Sequence, residues 1–155
     1  MMVRTPDKYF FAKGASEGIT KLNSFDKAII NAGIGDTNLI RLSSIVPPSC
    51  REIEPVKLPG GALIPTAYAS YTSENPGEII SASVAIGIPE DDSLPGLIME
   101  YSAAREPEYV EKFARDMVTE GFLYRNRKLK DIKSVVVSIK VESIATVFAG
   151  IVLWY

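Results

Sequence analysis

Apolar residues recur at helical spacing in two parts of the chain. The clearer stretch runs from Pro107, which suits the first turn of a helix, to Gly121, which favours a helix end. Its apolar positions fall at i, i+3, i+4, i+7 and i+8 and form one stripe: Val110, Phe113, Ala114, Met117 and Val118. The pattern predicts an amphipathic helix that packs one face on the core of the protein.

A shorter helix is predicted earlier in the chain, where four apolar residues follow the same period: Phe25, Ala28, Ile29 and Ala32. Asn23 and Ser24 are its candidate N-caps. Asp26 would lie in the first turn, where a negative charge favours the helix dipole. Gly33 is expected to end this helix and to open a tight turn.

The other apolar runs are typical of strands, because they are short and bounded by Pro, Gly and Asn. They cover residues 9–12, 38–46, 62–71, 78–88, 97–101, 132–141 and 144–154. Residues 14–18 predict a turn after the first run, and residues 73–77 predict a hairpin between the third and the fourth. Six or seven strands with two helices predict one α+β domain, with the helices packed on a largely antiparallel sheet.

The counts of histidine and cysteine exclude several kinds of catalytic and metal site, whereas the net charge excludes less. The chain has 155 residues, no histidine, one cysteine and a formal net charge of −2. The lack of histidine excludes Ser-His-Asp and Cys-His catalysis, and a single cysteine excludes an internal disulfide and Cys-cluster metal sites. The nearly neutral charge gives no reason to expect nucleic-acid binding. The polar N-terminus and short apolar runs predict no signal peptide and no membrane span, and a cytoplasmic location fits.

Two hydroxyl side chains, Ser43 and Ser44, interrupt the otherwise apolar run 38–46. A serine pair is ordinary by itself, but a hydroxyl in a buried strand needs a partner or a use. One reaction suits a serine that follows a small residue. The Oγ of Ser44 attacks the carbonyl carbon of Ser43, the amide becomes an ester, and β-elimination cuts the chain. The dehydroalanine left behind hydrolyses to a pyruvoyl group, which is an electrophilic carbonyl made without histidine or metal.

The serine pair lies within a long and specific sequence block. Residues 22–26 and 31–48 form this block, which contains Asn-Ala-Gly-Ile-Gly, then Ser-Ser, then Pro-Pro. Further blocks are residues 58–68, 76–78, 96–101 and 153–155. Together they cover nearly the whole chain in the same order, and through them the sequence strongly resembles the pyruvoyl-dependent arginine decarboxylase family.

The resemblance implies that the chain cuts itself between Ser43 and Ser44. The products would be a β chain of residues 1–43 and an α chain of residues 44–155 that starts with pyruvoyl. It implies conversion of L-arginine to agmatine and CO2 for polyamine synthesis, with covalent pyruvoyl as the cofactor and with no metal or pyridoxal phosphate. It also implies an αββα β-sandwich of mostly antiparallel sheets, assembled as trimers or pairs of trimers with active sites at subunit interfaces.

The same resemblance implies roles for three further residues. Asn38 matches a residue that assists processing near the scissile carbonyl, Glu100 matches the acid that supplies a proton in turnover, and Asp26 matches the acid that pairs with the substrate guanidinium. A carboxylate can bind a guanidinium bidentately, and burial would raise the pKa of Glu100 toward neutrality. From the residues alone, Glu100 is interpreted as a strand-end surface carboxylate and Asp26 as a helix-dipole residue.

Two alternatives stay open at this point. The same chemistry could act on a different amino acid, because the sequence does not locate pocket residues other than Asp26. The chain could also be an unprocessed structural or regulatory relative that binds arginine or a partner subunit. The intact Ser43–Ser44 pair, together with Asn38 and Glu100, argues against that second alternative.

Overall fold

A computed structural model describes residues 3–155, and over this range the chain forms nine strands and two helices. The strands are β1 (Lys8–Glu17), β2 (Asn38–Arg41), β3 (Ile45–Val46), β4 (Arg51–Glu52), β5 (Leu63–Ser73), β6 (Ile79–Pro89), β7 (Gly96–Ala103), β8 (Leu129–Lys140) and β9 (Ala145–Trp154). The helices are α1 (Lys21–Asn31) and α2 (Pro107–Tyr124). Neither helix in this range has both the length and the apolar character needed to cross a membrane.

The strands form two sheets that pack face to face. Sheet A has the strand order β2-β5-β9-β1-β4, and sheet B has the order β3-β7-β6-β8. Neighbouring strands are antiparallel, except that β1 pairs with β4 and β2 with β5 in parallel. Helix α1 covers the outer face of sheet A and α2 covers the outer face of sheet B. The predicted α+β class and the sandwich flanked by helices are confirmed.

Apolar clusters between the layers hold this arrangement together. The largest in the described range lies between the two sheets and includes Ile98 and Val147. Helix α1 buries Ala28 near Phe148 of sheet A, and α2 buries Val118 against sheet B. Strands β6 and β9 are buried along almost their whole length, because each has a helix on one face and the other sheet on the opposite face.

Two connections differ from the sequence prediction in the same way, because each crosses from one sheet to the other. The run 38–46, predicted as one strand, is divided into β2 in sheet A and β3 in sheet B. The hairpin predicted around residues 73–77 is also wrong, because β5 lies in sheet A and β6 in sheet B. An apolar run indicates extended backbone but not its pairing partner, so a hairpin and a crossing have the same pattern.

Two glycines predicted as breaks are instead points of close packing. Residues 14–17 continue β1, and a Cβ on Gly14 would lie 2.2 Å from the carbonyl oxygen of Ala28 in α1. Gly121 does not end α2, which continues to Tyr124. A Cβ on Gly121 would lie 2.7 Å from the Leu97 side chain of sheet B. Both glycines let a helix approach its sheet.

Helix α1 begins earlier than predicted. Thr20 is its N-cap, and the Thr20 Oγ1 accepts a hydrogen bond from the Asn23 N–H at 3.0 Å. Ser24 is buried in the helix, where its hydroxyl lies 2.6 Å from that of Thr146 in β9. The predicted caps Asn23 and Ser24 are therefore wrong, and Asp26 lies beyond the first turn.

Candidate active site

The serine pair lies where the chain passes from sheet A to sheet B. On the sheet A side, the Leu42 N–H donates to the Thr66 carbonyl oxygen at 3.0 Å. On the sheet B side, the Ser44 carbonyl oxygen accepts from the Ile98 N–H at 2.7 Å. The peptide bond between Ser43 and Ser44 therefore joins two anchored segments while lying outside both regular ladders.

The two serines differ in exposure, since Ser43 is exposed and Ser44 is half-buried. Within residues 3–155, the hydroxyls of Ser43 and Ser44 make no hydrogen bond, and the Ser43 carbonyl oxygen accepts none. The expectation of two hydroxyls inside a buried strand is wrong, because the crossing takes them out of the sheets. The Ser44 hydroxyl consequently has no competing partner in the described structure that would hold it away from the preceding carbonyl.

Glu100 lies on the strand that anchors Ser44. Ile98 and Glu100 are two positions apart on β7, so their side chains point to the same face, between the sheets. The Oε2 atom of Glu100 is buried and has no hydrogen-bond partner in the described part of the chain. Burial raises the pKa of Glu100 to about 7, and the positive charge of Arg41 acts in the opposite direction. This half-buried carboxyl differs from the strand-end surface group that the residues alone favour.

Arg41 is a neighbour of this site that the sequence reasoning missed. It is the last residue of β2, and its Nη2 donates to the Tyr68 carbonyl oxygen at 2.9 Å. Its guanidinium carbon also lies 4.4 Å from the centre of the Tyr68 ring. The available signal was a lone cation inside the otherwise apolar segment 39–42.

Asn38 lies at the other end of β2 from the serines. Its side-chain Nδ2 donates to the Gly61 carbonyl oxygen at 3.1 Å, and its backbone N–H donates to the Ala62 carbonyl oxygen at 2.8 Å. An extended chain rises about 3.3 Å per residue, so the five steps from Asn38 place Ser43 roughly 16 Å away. Within one chain, the structure does not bring Asn38 to the candidate scissile carbonyl.

Asp26 is exposed on α1, which lies on the far side of sheet A from Glu100. Leu22, Asp26 and Ile30 follow one another at intervals of four residues and so share one helix face. Three exposed apolar side chains accompany Asp26, and we call them the α1 patch: Ile19, Leu22 and Ile30, with exposures of 87%, 76% and 54%. Within residues 3–155, the Asp26 carboxylate makes no ion pair.

The described residues thus bring together Ser44, Glu100 and Arg41, and leave Asp26 and Asn38 apart from them. Residues 3–155 contain no group of three or more Cys, Asp or Glu side chains placed to hold a metal ion. The assembled part offers a hydroxyl next to a peptide carbonyl and a carboxyl that holds a proton near neutral pH. Such an arrangement can carry out acyl transfer and subsequent proton donation.

Comparison with known proteins finds relatives over nearly the whole chain. The family model described as "Pyruvoyl-dependent arginine decarboxylase (PvlArgDC)" matches residues 8–154. The pyruvoyl-dependent arginine decarboxylase of Methanocaldococcus jannaschii is 47% identical over 152 residues, which are 98% of this chain and 92% of the relative. Proteins of the same name from Thermococcus sibiricus and Methanococcus vannielii are 41% and 38% identical. These two alignments cover 97% and 98% of this chain, and 98% and 93% of the respective relatives.

Proposed function

The chain belongs to the pyruvoyl-dependent arginine decarboxylase family, and on that premise we propose that it cuts itself and converts L-arginine to agmatine and CO2. The cut would fall between Ser43 and Ser44 and yield a β chain of residues 1–43 and an α chain of residues 44–155. One observation carries the proposal: the Ser44 carbonyl is fixed 2.7 Å from the N–H of Ile98, on the strand that also carries the half-buried Glu100.

Anchoring on both sides supports self-cleavage at this bond. Because sheet A holds Leu42 and sheet B holds the Ser44 carbonyl, the peptide group between them has limited freedom to move away from the Ser44 Oγ. Attack of that Oγ on the Ser43 carbonyl carbon breaks the C–N bond, forms an ester and frees the Ser44 amino group. Loss of the Ser44 Cα proton then breaks the Cβ–Oγ bond and leaves a carboxylate on Ser43. The dehydroalanine at position 44 reacts with water, releases ammonia and becomes pyruvoyl.

The surroundings of Ser44 fit a pyruvoyl group because they include an acid without another partner. Bound there, the pyruvoyl group supplies the electron sink that allows arginine to lose CO2. The Oε2 of Glu100 is buried and has no partner among the described residues, and the carboxyl holds a proton near neutral pH. Glu100 is therefore suited to deliver that proton to the Cα of the substrate after CO2 has left.

Asp26 and Asn38 can take their proposed roles if a second copy of the chain completes the site. Both are exposed, and neither approaches Ser44 within one chain. The α1 patch beside Asp26 is an apolar surface of the kind that subunit contacts cover. The proposed assembly is a homotrimer, alone or in pairs, in which Asp26 of one subunit binds the arginine guanidinium near Ser44 of its neighbour. Asn38 would assist processing across the same interface.

Intact mass and a denaturing gel test the cleavage. The wild-type protein is expected to give two fragments that meet at position 43/44, with the larger fragment blocked at its N-terminus. Ser44→Ala is expected to stay whole and inactive, whereas Ser43→Ala retains the attacked carbonyl and is expected to be cut. A wild-type chain that stays whole, and that borohydride does not modify in the presence of arginine, would contradict the proposal.

Substrate choice is tested separately by CO2 release from arginine, lysine, ornithine and histidine. Arginine is expected to be preferred, because its planar cation forms two parallel hydrogen bonds with a carboxylate such as that of Asp26. Faster release from another amino acid by the cleaved protein would assign the same chemistry to a different substrate.

A further inference from the structure

The carbonyl groups along the free edge of β5 have different hydrogen-bond partners beyond the end of β2, where the chain crosses to sheet B. Carbonyl groups two residues apart on a strand point the same way, and three of them face this edge. The first, at Thr66, accepts from the backbone N–H that follows β2, at 3.0 Å. The second, at Tyr68, accepts from the Arg41 Nη2 at 2.9 Å, and the third, at Ser70, accepts from the Ser102 Oγ of sheet B at 3.1 Å. The Arg41 side chain thus continues the ladder where the backbone of β2 has turned away.

Tyr68 holds the Arg41 guanidinium from two directions. Its carbonyl oxygen accepts the hydrogen bond, and its ring lies 4.4 Å below the guanidinium carbon. The ring is itself fixed, since its centre lies 5.1 Å from that of Phe148 and 6.4 Å from that of Phe25. A cation held by both a carbonyl group and an aromatic face keeps a defined position.

Glu100 occupies the corresponding position on the facing strand. It precedes Ser102 on β7 by two residues, as Tyr68 precedes Ser70 on β5, and the hydroxyl–carbonyl contact between Ser102 and Ser70 brings the two strands together. This juxtaposition places the edge of β5 that Arg41 occupies opposite Glu100. The positive charge of Arg41 acts on the Glu100 carboxyl from there, with no hydrogen bond or ion pair between the two side chains in the described residues.

Glu100 faces the apolar cluster between the two sheets. Val84 of β6 lies opposite Glu100 in register, while β3 pairs further along β7, with Leu97 and Gly96. Strand β5 contributes Ala69 and Tyr71 to the cluster between the sheets, whereas the Tyr68 ring packs on the other face of sheet A, under α1. Burial raises the pKa of Glu100, and the positive charge of Arg41 acts against this shift.

We propose that Arg41 is a positioning residue for the decarboxylation: its guanidinium, fixed on Tyr68 at the vacated edge of β5, sets how readily Glu100 gives up its proton. This inference rests on the proposed function only in taking Glu100 as the proton donor. A nearby cation favours the ionised carboxylate, whereas burial favours the neutral acid. Arg41 therefore keeps the buried acid strong enough to donate near neutral pH, which is the condition for efficient general acid catalysis.

The pH profile of turnover gives the first test. Proton donation requires protonated Glu100, so kcat falls as the pH rises through the pKa of this group. Arg41→Met removes the cation and stabilises the protonated acid, so the alkaline limb of kcat is expected to move to higher pH by about one unit. Arg41→Lys retains the positive charge and is expected to restore most of the original profile. Arg51→Met, on the edge strand β4 at the opposite side of sheet A, serves as the control.

A second measurement does not depend on turnover. In the Ser44→Ala chain, with carboxyl-labelled glutamate, carbon NMR follows the titration of Glu100, and the signal is assigned by its loss in Glu100→Gln. Adding Arg41→Met is expected to raise the titration midpoint by about one unit, and Arg51→Met is expected to leave it in place. The uncut background also removes the need for the Arg41 variant to process itself.

The two measurements separate the two hypotheses. An unchanged titration midpoint in Arg41→Met overturns the role of Arg41, whatever happens to activity. In a second possible result, the titration midpoint of the uncut chain moves in Arg41→Met, while the kcat profile of the cut enzyme stays in place. The moved midpoint would support the effect of Arg41 on the Glu100 carboxyl. The unchanged kcat profile would remove Glu100 from the proton-donor role in the proposed function.

Discussion

The two groups of candidate residues in this protein are held in opposite ways. Ser44 and Glu100 lie at the contact between the sheets, where backbone hydrogen bonds to β7 fix the crossing and burial surrounds the carboxyl. Asp26 and Asn38 lie on the outside of sheet A and at its β2 edge, exposed to solvent. The first group is complete in a single chain. The second group, for which we propose substrate recognition by Asp26 and assistance to processing by Asn38, is exposed in the described part of a single chain.

Under the proposed function, this difference separates the residues of the chemical steps from the residue that recognises the substrate. Bond making and proton transfer need groups held within a few tenths of an ångström and shielded from water, which the interior between two sheets provides. Recognition of a guanidinium needs an accessible carboxylate, which an exposed helix face provides. A subunit contact at the α1 patch would join the two, so that assembly and activity depend on one another.

The largest expected effect comes from Glu100→Gln, which keeps the shape of the side chain but cannot donate the same proton. The variant is expected to cut itself normally and to lose about a hundredfold to a thousandfold in kcat, the range typical for removal of a general acid. Steady-state CO2 release measures this loss. Glu120→Gln, an exposed carboxylate on α2, provides the control. A wild-type kcat in Glu100→Gln would show that the buried carboxyl between the sheets is not the proton donor.

A smaller effect is expected for Asp26→Asn, which leaves the chemistry intact and weakens recognition. Loss of a charged hydrogen bond costs about 1.5–3 kcal/mol, so kcat/KM for arginine is expected to fall roughly tenfold to a hundredfold. Asp116→Asn, an exposed aspartate on α2, is the matched control.

Mixing variants determines whether Asp26 acts across the subunit contact. Ser44→Ala chains retain Asp26, and Asp26→Asn chains retain the pyruvoyl precursor. Unfolded together and reassembled at equal amounts, they are expected to regain about a quarter of wild-type activity, because one in four contacts then joins an intact Ser44 to an intact Asp26. Mixtures no more active than the sum of their parts would place both residues of each site in one chain.

The smallest expected effect is on the free energy of unfolding, whose dependence on pH should reveal the buried Glu100 carboxyl. The pKa of Glu100 is about 7 in the folded protein, above the ordinary value of 4.5, so its contribution is fully present below pH 4.5 and is lost as the pH rises through 7. The test uses the uncut Ser44→Ala background as the parent. Between pH 5 and pH 8 the parent is expected to lose about 1 kcal/mol in the free energy of unfolding relative to Glu100→Gln, because only the parent has to ionise this buried carboxyl. This value allows for partial solvation of the carboxyl.

Urea unfolding at fixed protein concentration measures this pH difference. The exposed Asp26→Asn is the comparison variant, because this side chain lies outside the sandwich, on α1. Equal pH dependence in both variants would mean that the interior of the sandwich does not distinguish Glu100 from a surface carboxyl.

Much of the fold was predictable from periodicity, because amphipathic helices and long buried strands leave repeated apolar patterns. Both helices and the strands at 97–101, 132–141 and 144–154 were located this way. The pattern failed at the two sheet crossings, where the same apolar residues serve two different sheets. It also failed at Gly14, where the glycine serves close packing of a helix and makes no turn.

The candidate site was predictable in its residues but not in its geometry. The Ser43–Ser44 pair and its sequence block carried the family resemblance, yet nothing local indicates that the bond leaves the sheets. The burial of Glu100 depends on strands distant in sequence, and so does the approach of Arg41 through Tyr68. Such long-range contacts are set by the tertiary fold and leave no periodic trace in a single sequence.

If the chain cuts itself as proposed, the position of β1 determines how the two fragments stay associated. The amino-terminal piece inserts this strand between β9 and β4 and pairs with ten consecutive residues of β9. A chain cut at this bond would therefore stay associated under native conditions, although its two polypeptides would no longer be covalently joined. The newly made chain folds as a unimolecular event, whereas a denatured, nicked molecule must find its other half by diffusion. Recovery from denaturation should then depend on protein concentration in the nicked form and not in the Ser44→Ala form, until subunit assembly itself becomes limiting.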